Sequence, residues 1–259
     1  KGNGRTRLHN ALETEIVSRT KTADLDAEHQ PRLLNRDAIT DGPARQRFAA
    51  TQEASARGHH GGIVPDILVR DMPREGGPPV AQQPLEVKTA SLCDQHAYQG
   101  DGRPVDALAE KVPGWYEAKA RRLDAEFCGT PRDEEGPVLR RLRELPLIWA
   151  LAFGAFGEWS RGVDRFVAEV SHHASLTPER FGCCHGPEQA RGVIAGWMRK
   201  RLGRVALRGC ARVRLTALQV VARTLPGPET STAYADRHAP GVWDEWDDSG
   251  NHVWIPHGG

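Results

Sequence analysis

The chain has 259 residues, 39% hydrophobic and 27% charged, enough for one large domain or a core domain with an extension. Its formal charge of +1 excludes a global field that would announce a polyanionic partner, so any nucleic-acid surface has to be a local cluster. No apolar run reaches the ~18 residues of a spanning helix, and five cysteines, an odd number, exclude a closed disulfide framework and fit a reducing compartment.

Leu8, Leu12 and Ile16 recur at i, i+4 and i+8 and predict an amphipathic helix over 6–21. At ~100° per residue, Glu15 falls ~60° from Leu12 on the apolar side, Glu13 ~100° away at its edge, and His9 ~60° away on the opposite flank. An acid on the buried side is unusual unless paired or liganded, which singles out Glu15. Residues 22–62 are polar, with a strand expected near 32–39 and a helix over 44–57. Gly61 and Gly62 free the backbone to bend before the next run.

Ile63-Val64-Pro65-Asp66-Ile67-Leu68-Val69 and Pro84-Leu85-Glu86-Val87-Lys88-Thr89 read as strands, with a loop over 70–79 between them. The result is a hairpin with Asp66 on one strand and Glu86 and Lys88 on one face of the other, while Leu85 and Val87 turn into a core. Glu117-Ala118-Lys119 repeats the spacing on a predicted helix, where i and i+2 point ~160° apart and cannot share a site.

Residues 94–106 read as a loop, followed by a helix over 113–127. Its stripe is Tyr116, Ala120, Leu123 and Phe127, and its basic side holds Lys119, Arg121 and Arg122. After a loop over 129–137 comes a short arginine-rich helix over 137–144. The continuously apolar run 147–153 has the pattern of a central strand buried on both faces. Gly154 and Gly157 mark a strand-to-helix turn, without the Lys and Ser/Thr of a phosphate loop, leading to a helix over 162–174. Cys183-Cys184-His185 lacks a second pair at zinc-finger spacing and reads as a thiol-bearing loop.

Two helices are expected over 187–221, with the densest basic stretch of the chain: Arg199, Lys200, Arg201, Arg204, Arg208, Arg212 and Arg214. Such a cluster suits phosphate contacts, and it suits a solvated helix face equally well. The tail from 225 is irregular and carries Trp243, Trp246 and Trp254. Residues 1–175 are therefore expected to form the core, and 176–259 a helical, arginine-rich extension with an irregular tail packed on it.

Pro65-Asp66 followed by Glu86-Val87-Lys88, after an acid-bearing helix and before a helix, a buried strand and another helix, resembles the PD-(D/E)xK nuclease superfamily over roughly residues 5–175. The resemblance implies an α/β fold: a restriction-endonuclease-like core with a mixed central sheet flanked by helices, here with a C-terminal helical extension. RecB-type members add Gln-x-x-x-Tyr after the lysine strand, whereas Gln95 and Tyr98 stand one residue too close. The stretch 153–158 and the arginine-rich segment after Met198 resemble nuclease-like reading frames of eukaryotic mobile elements.

The chemistry of these residues can be stated without a family. Hard oxygen ligands select Mg2+ or Mn2+, so Asp66 and Glu86 are candidate metal ligands. Lys88 is suited to orient or deprotonate the attacking water and to stabilise developing charge. The resemblance adds Glu15 as a further metal-site acid, the Val87 carbonyl as a ligand, and products bearing a 5′-phosphate and a 3′-hydroxyl.

The expectation is a metal-dependent deoxyribonuclease. Its alternatives are a catalytically inactive nucleic-acid-binding or assembly module of the same fold, and an unrelated α/β domain with an accidental motif. DNA, duplex or single-stranded, is the expected partner, met by Lys119, Arg122, Arg199, Lys200, Arg201, Arg204 and Arg208. A homodimer and further domains of a longer polypeptide stay open, and no membrane partner is expected. The chain shows no signal peptide and begins at Lys1, so an intracellular fragment is expected.

Overall fold

The computed structural model describes residues 4–31, 39, 41–54, 63–74, 76–90, 104–131, 133–177 and 184–224. In chain order the elements are α1 (Gly4–Thr22), β1 (Ala27–His29), α2 (Gly42–Ala54), β2 (Ile67–Arg74), β3 (Gly77–Thr89), α3 (Pro104–Leu123), α4 (Pro137–Glu144), β4 (Trp149–Phe153), α5 (Arg161–Ser175) and α6 (Pro187–Thr224). A π-helical turn, Asp124–Cys128, extends α3. The first of two compact units runs Lys1–Leu215 and the second Thr216–Gly259. Of the second, only helical residues 216–224 are described.

Among the described residues, four strands form one mixed sheet in the order β1-β2-β3-β4. The first three are an antiparallel meander, and β4 runs parallel to β3. A parallel step needs a long crossover, which α3 and α4 supply. Alternation along β3 and β4 sends Leu85, Val87, Leu151 and Phe153 into a core with Leu12 and Ile16 of α1, Phe166 of α5 and Met198 of α6. The other sheet face, through Ala150, meets Phe48 of α2, Tyr116 and Ala120 of α3 and Leu139 of α4. The fold is thus α/β, with a mixed sheet between helices. Each fully buried Leu, Ile or Phe contributes ~1.5–3 kcal/mol relative to exposure.

Two polar residues fasten this frame. Gly136 offers no side chain to cap α4, so the buried Asp124 accepts the N–H groups of Val138 and Leu139 at 2.8 and 2.9 Å. A Cβ at Gly136 would lie 2.2 Å from Asp124 Cγ, so this cap requires glycine. Ser160 closes the free edge of β4: its N–H donates to the Ala152 carbonyl at 2.9 Å, and its Oγ accepts the Ala152 N–H at 3.1 Å.

Several expectations need correction. The run 147–153 does form a strand buried throughout, but it is the last strand of the ladder, not a central one. Helix α5 and the Trp159–Ser160 segment cover it, so burial came from layering rather than from a further strand. The hairpin loop placed at 70–79 is mostly strand, because β2 continues to Arg74 and β3 starts at Gly77. Pro73, Pro78 and Pro79 look like turn residues, but they lie in an arm that carries a register shift between Met72 and Arg74. Prolines are tolerated at such irregular edges.

The helix expected from 113 begins at Pro104 and holds Pro113 inside it. The two helices expected over 187–221 are one. Gly209, readable as a break, is a close approach, since a Cβ there would lie 2.3 Å from Leu8 Cδ1. The strand expected near 32–39 lies outside the described residues except for Ile39, and so does Cys183. No helix among the described residues is long and apolar enough to cross a membrane.

Candidate active site

The β2–β3 register pairs Ile67 with Leu85. One residue further, the same register sets Asp66, in the bend that opens β2, opposite Glu86. Asp66 Oδ2 accepts the Val87 N–H at 2.7 Å, which ties the carboxylate to the lysine strand. On β3, Glu86 and Lys88 share the face opposite Leu85 and Val87, and their β4 neighbours are Ala150 and Ala152. These small side chains leave the space above the sheet to the acid and the amine.

Glu86 is buried and fully engaged. Lys88 Nζ donates to its Oε1, and the Tyr116 hydroxyl of α3 donates to its Oε2 at 2.5 Å. Lys88 Nζ also lies 6.0 Å from the centre of the Trp115 ring. From the opposite side, His9 of α1 sets Nε2 3.3 Å from Asp66 Oδ1. One turn on, the buried Glu13 meets His29 Nδ1 at 2.8 Å, which links α1 to the end of β1.

The electrostatics follow from this crowding. Burial, then the charge of Glu86, lifts Asp66 from 3.8 to about 7, against the Val87 N–H and Lys88, which favour the anion. Burial, assisted by Lys88, holds His9 below its ordinary value against the pull of Glu13 and Glu86, so the ring is neutral at pH 7. With its proton on Nε2 toward Asp66, His9 keeps a lone pair on Nδ1, a buried atom without a hydrogen-bond partner among the described residues. Burial and the Glu86 charge push the Tyr116 phenol far above its usual range, so it remains a donor.

The structure therefore brings Asp66, Glu86 and Lys88 together. Val87 joins them through its N–H, which Asp66 accepts. Glu15 is not with them. It pairs with Arg19 at 3.0 Å and with Arg201 of α6 at 3.2 Å. The helical wheel placed Glu15 and His9 correctly on opposite flanks of the stripe. It could not say which flank faces the strand ends, and that flank carries His9 and Glu13.

Lys119 lies beside the site. Burial lowers its pKa, Arg122 and Lys88 add to that, and Glu86 opposes it. Glu117 turns away to Arg143 at 3.6 Å, so the second Glu-x-Lys indeed diverges on its helix. On α6, Arg199 pairs with Asp164 at 3.7 Å and Arg201 with Glu15, while Lys200, Arg204 and Arg208 are exposed. Gln95 and Tyr98 lie outside the described residues.

His9, Glu13, Tyr116 and Trp115 are the site neighbours that the sequence did not disclose. Two signals were present. His9 and Glu13 stand at i and i+4 on one helix, and Tyr116 precedes Lys119 by three.

Converging acids, one raising the proton affinity of the other as Glu86 does that of Asp66, are the donor set that a hard divalent cation relieves. Asp66 and Glu86 fit one on chemistry. In the geometry seen, a cation on both acids would require Lys88 to release Glu86 Oε1, and among the described residues no three His, Cys, Asp or Glu side chains form a metal-holding group. No family model matches the chain, and no curated protein is significantly similar to it.

Proposed function

We propose that this chain is a metal-dependent nuclease that hydrolyses DNA phosphodiester bonds on a PD-(D/E)xK-type core, with Asp66, Glu86 and Lys88 as its working residues. The observation that carries this reading is the convergence of the two acids, Asp66 being lifted to about 7 by burial and then by the charge of Glu86, beside a lysine on the same strand face as Glu86. The order α1, three antiparallel strands with α2 inserted after the first, α3 and α4, and a parallel β4 supports a restriction-endonuclease-like core.

A divalent cation held by Asp66 and Glu86 would supply charge neutralisation and a bound water of lowered pKa. The chain's own residues do the rest. Lys88, once a scissile phosphate competes for it, presents its ammonium to the attacking water and to the charge that builds on the phosphoryl oxygens. Tyr116 keeps donating to Glu86 and fixes its rotamer. Neutral His9 steadies Asp66 from Nε2. Lys119 and Arg122 add positive charge beside the strand end for the flanking phosphates. The odd cysteine count suits an intracellular setting.

Incubation with single-stranded, duplex and branched DNA in Mg2+, Mn2+ or EDTA, beside a Lys88→Ala variant, tests this. Cleavage that needs the cation and disappears in the variant is expected, with 5′-phosphate ends. Cutting that persists in EDTA or in the variant would sink the mechanism.

A second reading has its own support. Lys88 and Tyr116 satisfy both oxygens of Glu86, as in a fold retained only for binding or assembly. DNA binding without cleavage in any cation would favour it.

A further inference from the structure

Because α6 is one helix, its charges form a pattern that two short helices would not. Lys200, Arg204, Arg208 and Arg212 recur at i, i+4, i+8 and i+12, and all four are exposed. At 1.5 Å rise per residue they make a ridge ~18 Å long that turns ~40° per step. From Gln189 to Thr224 the helix holds Arg191, Arg199, Lys200, Arg201, Arg204, Arg208, Arg212, Arg214 and Arg223, and not one acid. An exposed helix that is merely solvated mixes signs along its face; this one does not.

The other bases of the region are set apart from the ridge. Arg199 and Arg201 turn to Asp164 and Glu15, and Arg214 donates to the Ala155 carbonyl at 2.8 Å. Among the described residues, Lys200 and Arg204 form no ion pair.

The ridge also ends in a telling place. Gly209 packs against Leu8, whose neighbour His9 meets Asp66. The Cys210 thiol donates to the Gly154 carbonyl at 3.3 Å, just past β4, where Ala152 pairs with Lys88. The Arg208–Arg212 end thus lies at the end of the sheet that bears the acids.

We infer that this ridge is a track for the phosphate backbone of duplex DNA, leading to the Asp66–Glu86 site, an inference that rests on the nuclease reading for what the track delivers. Duplex is favoured because no aromatic residue stands between Lys200 and Arg212, whereas single-strand tracks interleave bases with aromatic platforms. The exposed rings near the two ends of the ridge are already faced by arginines, Trp197 by Arg19 at 4.3 Å and Phe156 by Arg214 at 4.4 Å. Duplex presents one charge per ~3.4 Å along each strand, so ~18 Å of one strand offers about five phosphates to the four bases of the ridge.

The test is binding of the full chain to a fluorescent duplex in EDTA, where nothing is cut, across a salt series. The variant combines Lys200→Gln, Arg204→Gln, Arg208→Gln and Arg212→Gln, and a thermal melt checks its fold. We expect affinity to fall about 100-fold at moderate salt and the log–log salt slope to lose about 3 to 4. We also expect a far smaller loss on single-stranded DNA of equal length. Wild-type affinity and slope in a folded variant would overturn the track, and an equal loss on single strands would overturn the choice of duplex. A wild-type chain that binds duplex through the ridge but cuts it in neither Mg2+ nor Mn2+ would instead overturn the nuclease reading and leave the binding result standing, so the two failures are distinguishable.

Discussion

Asp66 is the residue on which the chemistry and the stability of the site meet. Folded, it titrates at about 7 instead of 3.8, so between those values the native state binds more protons than the unfolded chain. Stability therefore falls as pH rises across that window, and it levels off above it. Asp66→Asn removes this slope and is expected to raise Tm in EDTA at pH 8 by several degrees, on the order of a few kcal/mol. Melts at pH 5 and pH 8 check it, and an unchanged pH slope in the variant would contradict the raised titration of Asp66. A saturating divalent cation should stabilise the wild type by mass action and the Asp66→Asn variant less. Tyr116→Phe removes one donor from Glu86 and should slow cleavage by about tenfold, consistent with a hydrogen bond to a charged group worth ~1.5–3 kcal/mol, without weakening DNA binding. The motif residues were legible because a period of two on a strand places Glu86 and Lys88 on one face. His9 and Tyr116 were not, because their roles depend on how α1 and α3 sit across the sheet, and no local pattern encodes that.

At the scale of elements, the structure departs from the sequence pattern wherever glycine or proline serves packing rather than a break. Gly209 allows α6 to lie against Leu8, and Gly209→Val should cost ~1–3 kcal/mol by overpacking, readable as a lowered denaturant midpoint. Pro113 sits within α3, although proline usually marks a helix boundary. Asp124 caps α4 from the preceding helical turn through two backbone N–H groups. Asp124→Ala leaves both without that acceptor and should destabilise the protein by about 1–3 kcal/mol, whereas exposed Glu126→Ala should change stability by less than ~0.5 kcal/mol. Strand β1, three residues long, carried too short an alternation to be recognised. It formed because Ala27–His29 pairs with the start of β2, a tertiary reason invisible to a local window.

Across the whole first unit, helices on both faces let one sheet end gather groups from four elements: His9 from α1, Asp66 at the start of β2, Glu86 and Lys88 from β3 and Tyr116 from α3. The α/β class was legible from the alternation of apolar strands and amphipathic helices. The position of β4 was not, because doubly buried strands look alike at the centre and at a covered edge. The core expected to end at 175 is contained in a larger unit, since α6 residues such as Met198, Leu202 and Ala206 join the core of α1 and α5.

The central claim is that Asp66, Glu86 and Lys88 work as one nuclease site. The single-turnover cleavage rate of Glu86→Gln, measured beside wild type with saturating duplex DNA and Mg2+, addresses it most directly. A loss of at least ~100-fold with DNA binding retained is the predicted result. A rate within about twofold of wild type would contradict the claim.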